Sequence, residues 1–215
     1  MTDFTAARRH MVDGQIRTID VTDTRVISAM LEVPREQFMP PAVTALAYLD
    51  LDVSVGASRR LLRPMVLAKL LQAAEIGETD RVLDAGCATG YGAAVLAHIG
   101  AQVIALEEDA SLAKAAGTAL ASLANVSVVN GALAGGWPKG APYDVVVLEG
   151  ATEVVPQTLG SQLKDGGRLV CILGSGPGSK AMLYRRSGAE LAGLPVFDAA
   201  AELLPGFAKT PVFAF

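Results

Sequence analysis

The chain has 215 residues, 51% of them hydrophobic, a formal net charge of −4, two cysteines and two histidines. That length suits one domain with a modest appendage, with ample apolar material for a core. The acidic balance and the lack of any long Lys/Arg cluster argue against nucleic-acid binding.

The opening residues, 1–10, lack the apolar stretch of a secretory signal. Cys87 and Cys171 do not make a disulfide framework, and both are expected to be reduced in a cytoplasmic compartment. No Cys/His spacing suits zinc, so no metal is expected.

Helical periodicity covers residues 5–17 and 22–32, with Thr22 or Asp23 as N-cap of the second. Pro34, Pro40 and Pro41 then punctuate the chain, and residues 51–55 read as a short strand or extended segment. Residues 64–75 predict a helix with Pro64 in its first turn, where its missing N–H costs nothing. Residues 81–84 predict a buried strand, 91–99 an alanine-rich helix closed by Gly100, and 102–107 a second strand. A helix over 111–123 and a strand over 126–129 follow. Residues 143–148 are almost wholly apolar, as a strand covered on both faces should be. Residues 156–163 predict a helix and 168–173 a fifth strand, then a flexible loop at 174–178 and strand-like runs near 182–185, 191–196 and 211–215. Residues 85–106 hold no Asp, Glu, Lys or Arg, yet Gly86, Gly90, Gly92 and Gly100 break that run. It reads as turn, helix and strand rather than a membrane span. Strands alternating with helices point to an α/β fold with a parallel sheet, whose ligands sit beyond the carboxyl ends of the strands.

Asp84-Ala-Gly86-Cys-Ala88-Thr-Gly90-Tyr91 follows a strand and opens a helix, and Glu107 ends the next strand, where an acid can accept two ribose hydroxyls. Two cofactors fit such a turn. A nicotinamide dinucleotide asks for glycine at the first, third and sixth loop positions, here Gly86, Ala88 and Tyr91, and the tyrosine is the objection. S-adenosylmethionine has no phosphates and asks for an acid before the loop and glycine at its first and fifth positions, which Asp84, Gly86 and Gly90 supply. A glycine turn that binds nothing is the third reading.

Longer stretches add specificity: Met11-Val-Asp-Gly-Gln-Ile16, Val33-Pro-Arg-Glu-Gln-Phe38, Ala47-Tyr48, Gly90-Tyr-Gly-Ala-Ala-Val-Leu-Ala97, Ala141-Pro-Tyr-Asp144 and Gln162-Leu-Lys-Asp-Gly-Gly-Arg-Leu169. With these, the sequence resembles the protein-L-isoaspartate (D-aspartate) O-methyltransferase family as a divergent member. The resemblance implies a Rossmann-like class I methyltransferase fold: a seven-stranded, mostly parallel sheet with helices on both faces and an N-terminal helical extension. Residues 1–63 would be the extension and 64–215 the S-adenosylmethionine-binding domain, one structural unit. It implies S-adenosylmethionine as cofactor, held by Asp84, Gly86, Cys87, Gly90 and Glu107, with Gly131, Ala132 and Leu133 at the adenine corner. The substrate would be a protein or peptide bearing isoaspartate, methylated on its free carboxylate.

The departures from the family lie at the substrate side. Where the family has Thr-Ile-Ser this chain has Arg60-Leu61-Leu62, and where the family has Thr followed by alanines it has Glu149-Gly150-Ala151. Arg60, Leu62 and Glu149 are therefore the substrate-side candidates. Arg60 could hold a carboxylate by a charge-assisted fork; the alternative is that it is solvated along with Arg59 and Arg63. Glu149 faces a ligand or is an exposed loop acid. Three functions stay open: the isoaspartyl reaction, methyl transfer to another carboxylate or small molecule, and binding without turnover. The tail over 199–215 could close the site, form an edge strand or join a second subunit.

Overall fold

The computed structural model describes residues 3–56 and 58–210; the strand-like run at 211–215 lies outside them. Helix α1 (Phe4–Met11) starts at Asp3, whose side chain accepts from Ala6 N at 3.0 Å. It passes into a π-helical turn, Val12–Ile16, and a 3-10 turn, Arg17–Ile19, so the helix expected over 5–17 is one path of changing pitch. Asp23, rather than Thr22, caps α2 (Thr24–Glu32), accepting from Arg25 N at 2.9 Å and satisfying one of the amides that a helix start leaves without a partner.

A hairpin follows, with β1 (Val53–Gly56) paired antiparallel to β2 (Arg59–Leu61). Side chains alternate across β2, so Arg59 and Leu61 turn inward while Arg60 turns out. The body of the fold then runs α3 (Pro64–Ala73), β3 (Arg81–Ala85), α4 (Tyr91–Ile99), β4 (Gln102–Glu107), α5 (Ala110–Ala119), β5 (Val126–Asn130), β6 (Tyr143–Thr152), α6 (Gln157–Gly160), β7 (Leu163–Leu173), β8 (Lys180–Ser187) and β9 (Glu190–Asp198).

The seven-stranded sheet has the order β5-β4-β3-β6-β7-β8-β9. Its first five strands are parallel, and β8 pairs antiparallel with both β7 and β9. Alternate residues of β6 feed two apolar layers, Val145 and Val147 on one face, Val146 and Leu148 on the other. The first layer also takes Met11, Ile16, Val26 and Met30 from the N-terminal helices, which cover α3 and α4. Gln72 of α3 fixes that cover, its Oε1 accepting from Thr22 N and Asp23 N and its Nε2 donating to Asp20 O at 2.9 Å.

Several boundaries differ from the sequence reading, α5 among them, which ends at Ala119 rather than at 123. Helix α6 is a single turn, and β7 begins at Leu163, because Leu163 pairs with Tyr143 although Lys164-Asp-Gly-Gly167 has no strand-like pattern. Strand β6 runs past Leu148 to Thr152 through a register break between Val147 and Ala151, and that break carries Glu149 and Gly150. No helix among the described residues is long and apolar enough to cross a membrane.

Candidate active site

The chain leaves β3, builds β4 and β5 on one side, and returns to build β6 on the other, so the strand order reverses between β3 and β6. A crevice beyond the carboxyl ends of two such strands is where open α/β sheets bind ligands. Asp84 and Gly86 stand at the end of β3, Glu149 and Gly150 in the register break of β6, and Glu107 at the end of neighbouring β4.

The loop after β3 is fastened to β4. Gly86 N and Cys87 N both donate to Leu106 O, at 2.8 and 3.2 Å, and Ala88 N donates to Glu107 Oε2 at 2.8 Å. That last bond holds Ala88 at φ 50°, a left-handed conformation that costs an alanine about 1–2 kcal/mol. Gly90 opens α4 and faces Leu120 in the core rather than the crevice. Burial pushes the Cys87 thiol well above its usual range, with the Asp84 and Glu107 charges adding to it, so it is no nucleophile at neutral pH. At the far corner Gly131 N donates to Glu107 O at 3.1 Å and Gly131 packs on Trp137, while Leu133 is buried beside Glu108. Gly131, Ala132 and Leu133 thus stand next to the end of β4.

Glu149 is 3% exposed, not the exposed loop acid that one reading of the sequence allowed. A methyl group on Gly92 would overlap its Oε1, so the first turn of α4 is cut away to admit the carboxyl. Burial lifts Glu149 to about 7 in spite of the nearby Asp84, Arg35 and Arg59 groups that pull it down. Burial raises Asp84 well above the usual carboxylate range, and the Glu149 charge adds to the rise. Neither Asp84 oxygen nor Glu149 Oε1 has a hydrogen-bonding partner among the described residues. Two buried acids this close each make it costlier for the other to ionise.

Two arginines that the sequence reading did not single out complete the cluster. Arg35 is fully buried, its guanidinium 4.6 Å from the centre of the Tyr91 ring and its Nη2 donating to Leu62 O at 2.9 Å. Arg59, expected in solvent, is 2% exposed: Nη2 donates to Gly86 O at 2.7 Å and to Glu107 Oε2 at 3.2 Å. Its place on the inward face of the three-residue strand β2 puts it there. The substrate-side candidates part company. Arg60 lies at the surface, 3.2 Å from Glu202, with about half of each side chain exposed, while Leu62 is buried in the apolar layer.

Part of the tail crosses the crevice. Ala151 N donates to Glu202 O at 2.8 Å, Leu204 N to Ala151 O at 2.9 Å and Glu153 N to Phe207 O at 3.0 Å. This strap buries Leu204 and Phe207 and lays Leu204 over both Gly86 and Gly150. Residues 211–215 lie outside the described part.

Residues 6–194 match the protein-L-isoaspartate(D-aspartate) O-methyltransferase (PCMT) family. A protein-L-isoaspartate O-methyltransferase of Rhodopseudomonas palustris (strain HaA2) is 41% identical over 81% of this chain and 72% of its own length. That of Methylorubrum extorquens (strain PA1) is 39% identical over 84% of this chain and 79% of its own. A solved protein-L-isoaspartate O-methyltransferase superposes with TM-score 0.81 at 24% identity, over 93% of this chain and 66% of that structure. A Plasmodium falciparum chain described as a β-aspartate methyltransferase in complex with S-adenosyl-L-homocysteine superposes with TM-score 0.78 at 15% identity, over 92% and 97%. The structures carry the same fold, and the sequence match over most of the chain shows that it belongs to the protein-L-isoaspartate (D-aspartate) O-methyltransferase family.

Proposed function

We propose that the crevice between β3 and β6 holds S-adenosylmethionine and that the chain methylates the free carboxylate of isoaspartyl residues in proteins. A S-adenosylmethionine-dependent O-methyltransferase is what its family membership makes it; the assignment of residues rests on the geometry. The observation that carries it is the meeting, at the point where strand order reverses, of a glycine turn, the acid Glu107 and the partnerless buried acid Asp84. Those residues fit a cationic nucleoside: Glu107 for ribose hydroxyls, Asp84 and Gly86 for the amino-acid end, and Gly131 to Leu133 beside the adenine. When bound, the cofactor supplies an electrophilic methyl group.

The protein's own part is placement and exclusion of water. A carboxylic acid with pKa near ~3.9 is already ionised at neutral pH, so the acceptor needs no general base. The rate then depends on holding the carboxylate in line in a dry crevice, and the strap bearing Leu204 and Phe207 supplies the dry wall. Arg60, half-exposed, paired with Glu202 and donating to Asp52 O at 3.3 Å, is the group that receives the incoming carboxylate.

Transfer of label from S-adenosylmethionine to an isoaspartyl peptide, with the aspartyl peptide as control, tests the reading through base-released methanol. Selective labelling is the expected result. A second reading, another carboxylate acceptor, draws on Leu62, which turns into the core and offers no hydroxyl. A protein that binds the cofactor yet leaves the isoaspartyl peptide unlabelled would favour it.

A further inference from the structure

The same atoms that suit a methyl donor are already engaged. Glu107 Oε1 accepts from Glu108 N and Asp109 N, and its Oε2 accepts from Ala88 N and from Arg59. Of these partners only Arg59 sits on a side chain that can leave. A methyl group on Gly86 would come 2.8 Å from Arg59 Nη2 and 3.4 Å from Leu204 Cδ2. The space over the glycine turn, which any ligand of that turn must enter, is therefore filled by a guanidinium and a leucine.

We propose that Arg59, with Leu204 beside it, competes with the methyl donor for the crevice, and that loading is an exchange in which the donor's positive charge takes the place of the guanidinium. The proposal rests on the cofactor reading above.

Charge balance favours a cation as the replacement. Asp84, Glu107 and Glu149 face Arg35 and Arg59 in a buried cluster. Three buried acids thus face two arginines, and Arg59 is the one that pairs with Glu107. Withdrawal of Arg59 leaves one buried negative charge without a partner, which is costly in a low-dielectric site. S-adenosylmethionine, with a sulfonium and an ammonium against one carboxylate, restores the balance. S-adenosylhomocysteine has no net charge and does not.

The backbone has the means for withdrawal. Arg59 follows Ser58, at φ 55°, and β1 breaks register between Ser54 and Gly56, so the pairing of the hairpin is irregular beside it. The Arg60–Glu202 ion pair joins β2 to the strap that carries Leu204, so the two fillers move together.

Calorimetric titration of S-adenosylmethionine and S-adenosylhomocysteine into the wild type, Arg59→Ala and Leu204→Ala tests this. The expected result is that both variants bind both ligands more tightly than the wild type, Arg59→Ala by about tenfold or more. The donor should outbind its product by about tenfold in the wild type. Unchanged or weaker binding by Arg59→Ala overturns the competition, and if that variant does not fold, unchanged binding by Leu204→Ala does so. Product bound as tightly as donor overturns the exchange of charge. No binding of either ligand to any folded protein overturns the cofactor reading itself, and the proposal with it.

Discussion

Leu204 rests on Gly150 so closely that a Cβ there would lie 2.6 Å from Leu204 Cγ and 3.1 Å from Glu202 O. Gly150→Ala must therefore push the strap away from the end of β6. The expected cost is about 1–3 kcal/mol in urea denaturation, with faster hydrogen exchange at the Leu204 amide. An amide as protected as in the wild type would show that the strap does not depend on this contact.

Glu149 gives the fold a dependence on pH whose sign is fixed by its raised value. The folded carboxyl holds its proton up to about 7, against 4.5 for an ordinary glutamate, so between those values the folded state binds more protons than the unfolded chain. Stability from this group is fully present below about 4.5 and is lost as pH rises through about 7. Glu149→Gln removes the dependence. Against the wild type it should gain on the order of 3 kcal/mol between pH 4.5 and pH 8, read from chemical denaturation at the two pH values. A parallel pH course for the two proteins would remove Glu149 from the account.

Tyr91 and Tyr143 are both buried, yet their hydroxyls differ. Tyr91 Oη has no partner among the described residues, whereas Tyr143 Oη donates to Trp137 O at 2.7 Å. Tyr91→Phe should be neutral or stabilising, and Tyr143→Phe should cost about 1 kcal/mol. Thermal unfolding of the two single variants in one buffer checks the ordering.

Arg60 separates stability from substrate capture. Its ion pair with Glu202 is half-exposed, so Arg60→Ala should change stability by less than about 1 kcal/mol. If Arg60 receives the substrate carboxylate, KM for an isoaspartyl peptide rises several-fold while kcat holds. Steady-state kinetics with unchanged KM would take Arg60 out of the site.

The part of the molecule legible in sequence is the part set by near neighbours. Helix α4 and strand β4 fall on the residues that periodicity and the closing Gly100 assign them. Asp84, Gly86 and Glu107 come together because a strand, a turn and the next parallel strand leave little choice. Arg59 escaped for the opposite reason. It lies among arginines that ordinarily face water, β2 is too short to reveal its alternation, and its partner Glu107 is distant in the chain. Glu149 could be placed at a strand end, but its burial depends on space that Gly92 leaves on another element. The cover over Gly86 depends on β6 continuing through an irregular register, which no local pattern announces.

The strap also fixes an order of events in folding. Arg60 meets Glu202, and Ala151 meets Leu204, across long stretches of intervening chain, and contacts of that kind form after local ones. The sheet from β3 to β6 can assemble while the cleft still lies open to water. In refolding experiments, protection at the Leu204 amide should therefore arrive later than protection at Leu83 or Val146. Until then a nascent molecule presents its acids to solvent, and a ligand present during synthesis can reach them before the C-terminal segment does.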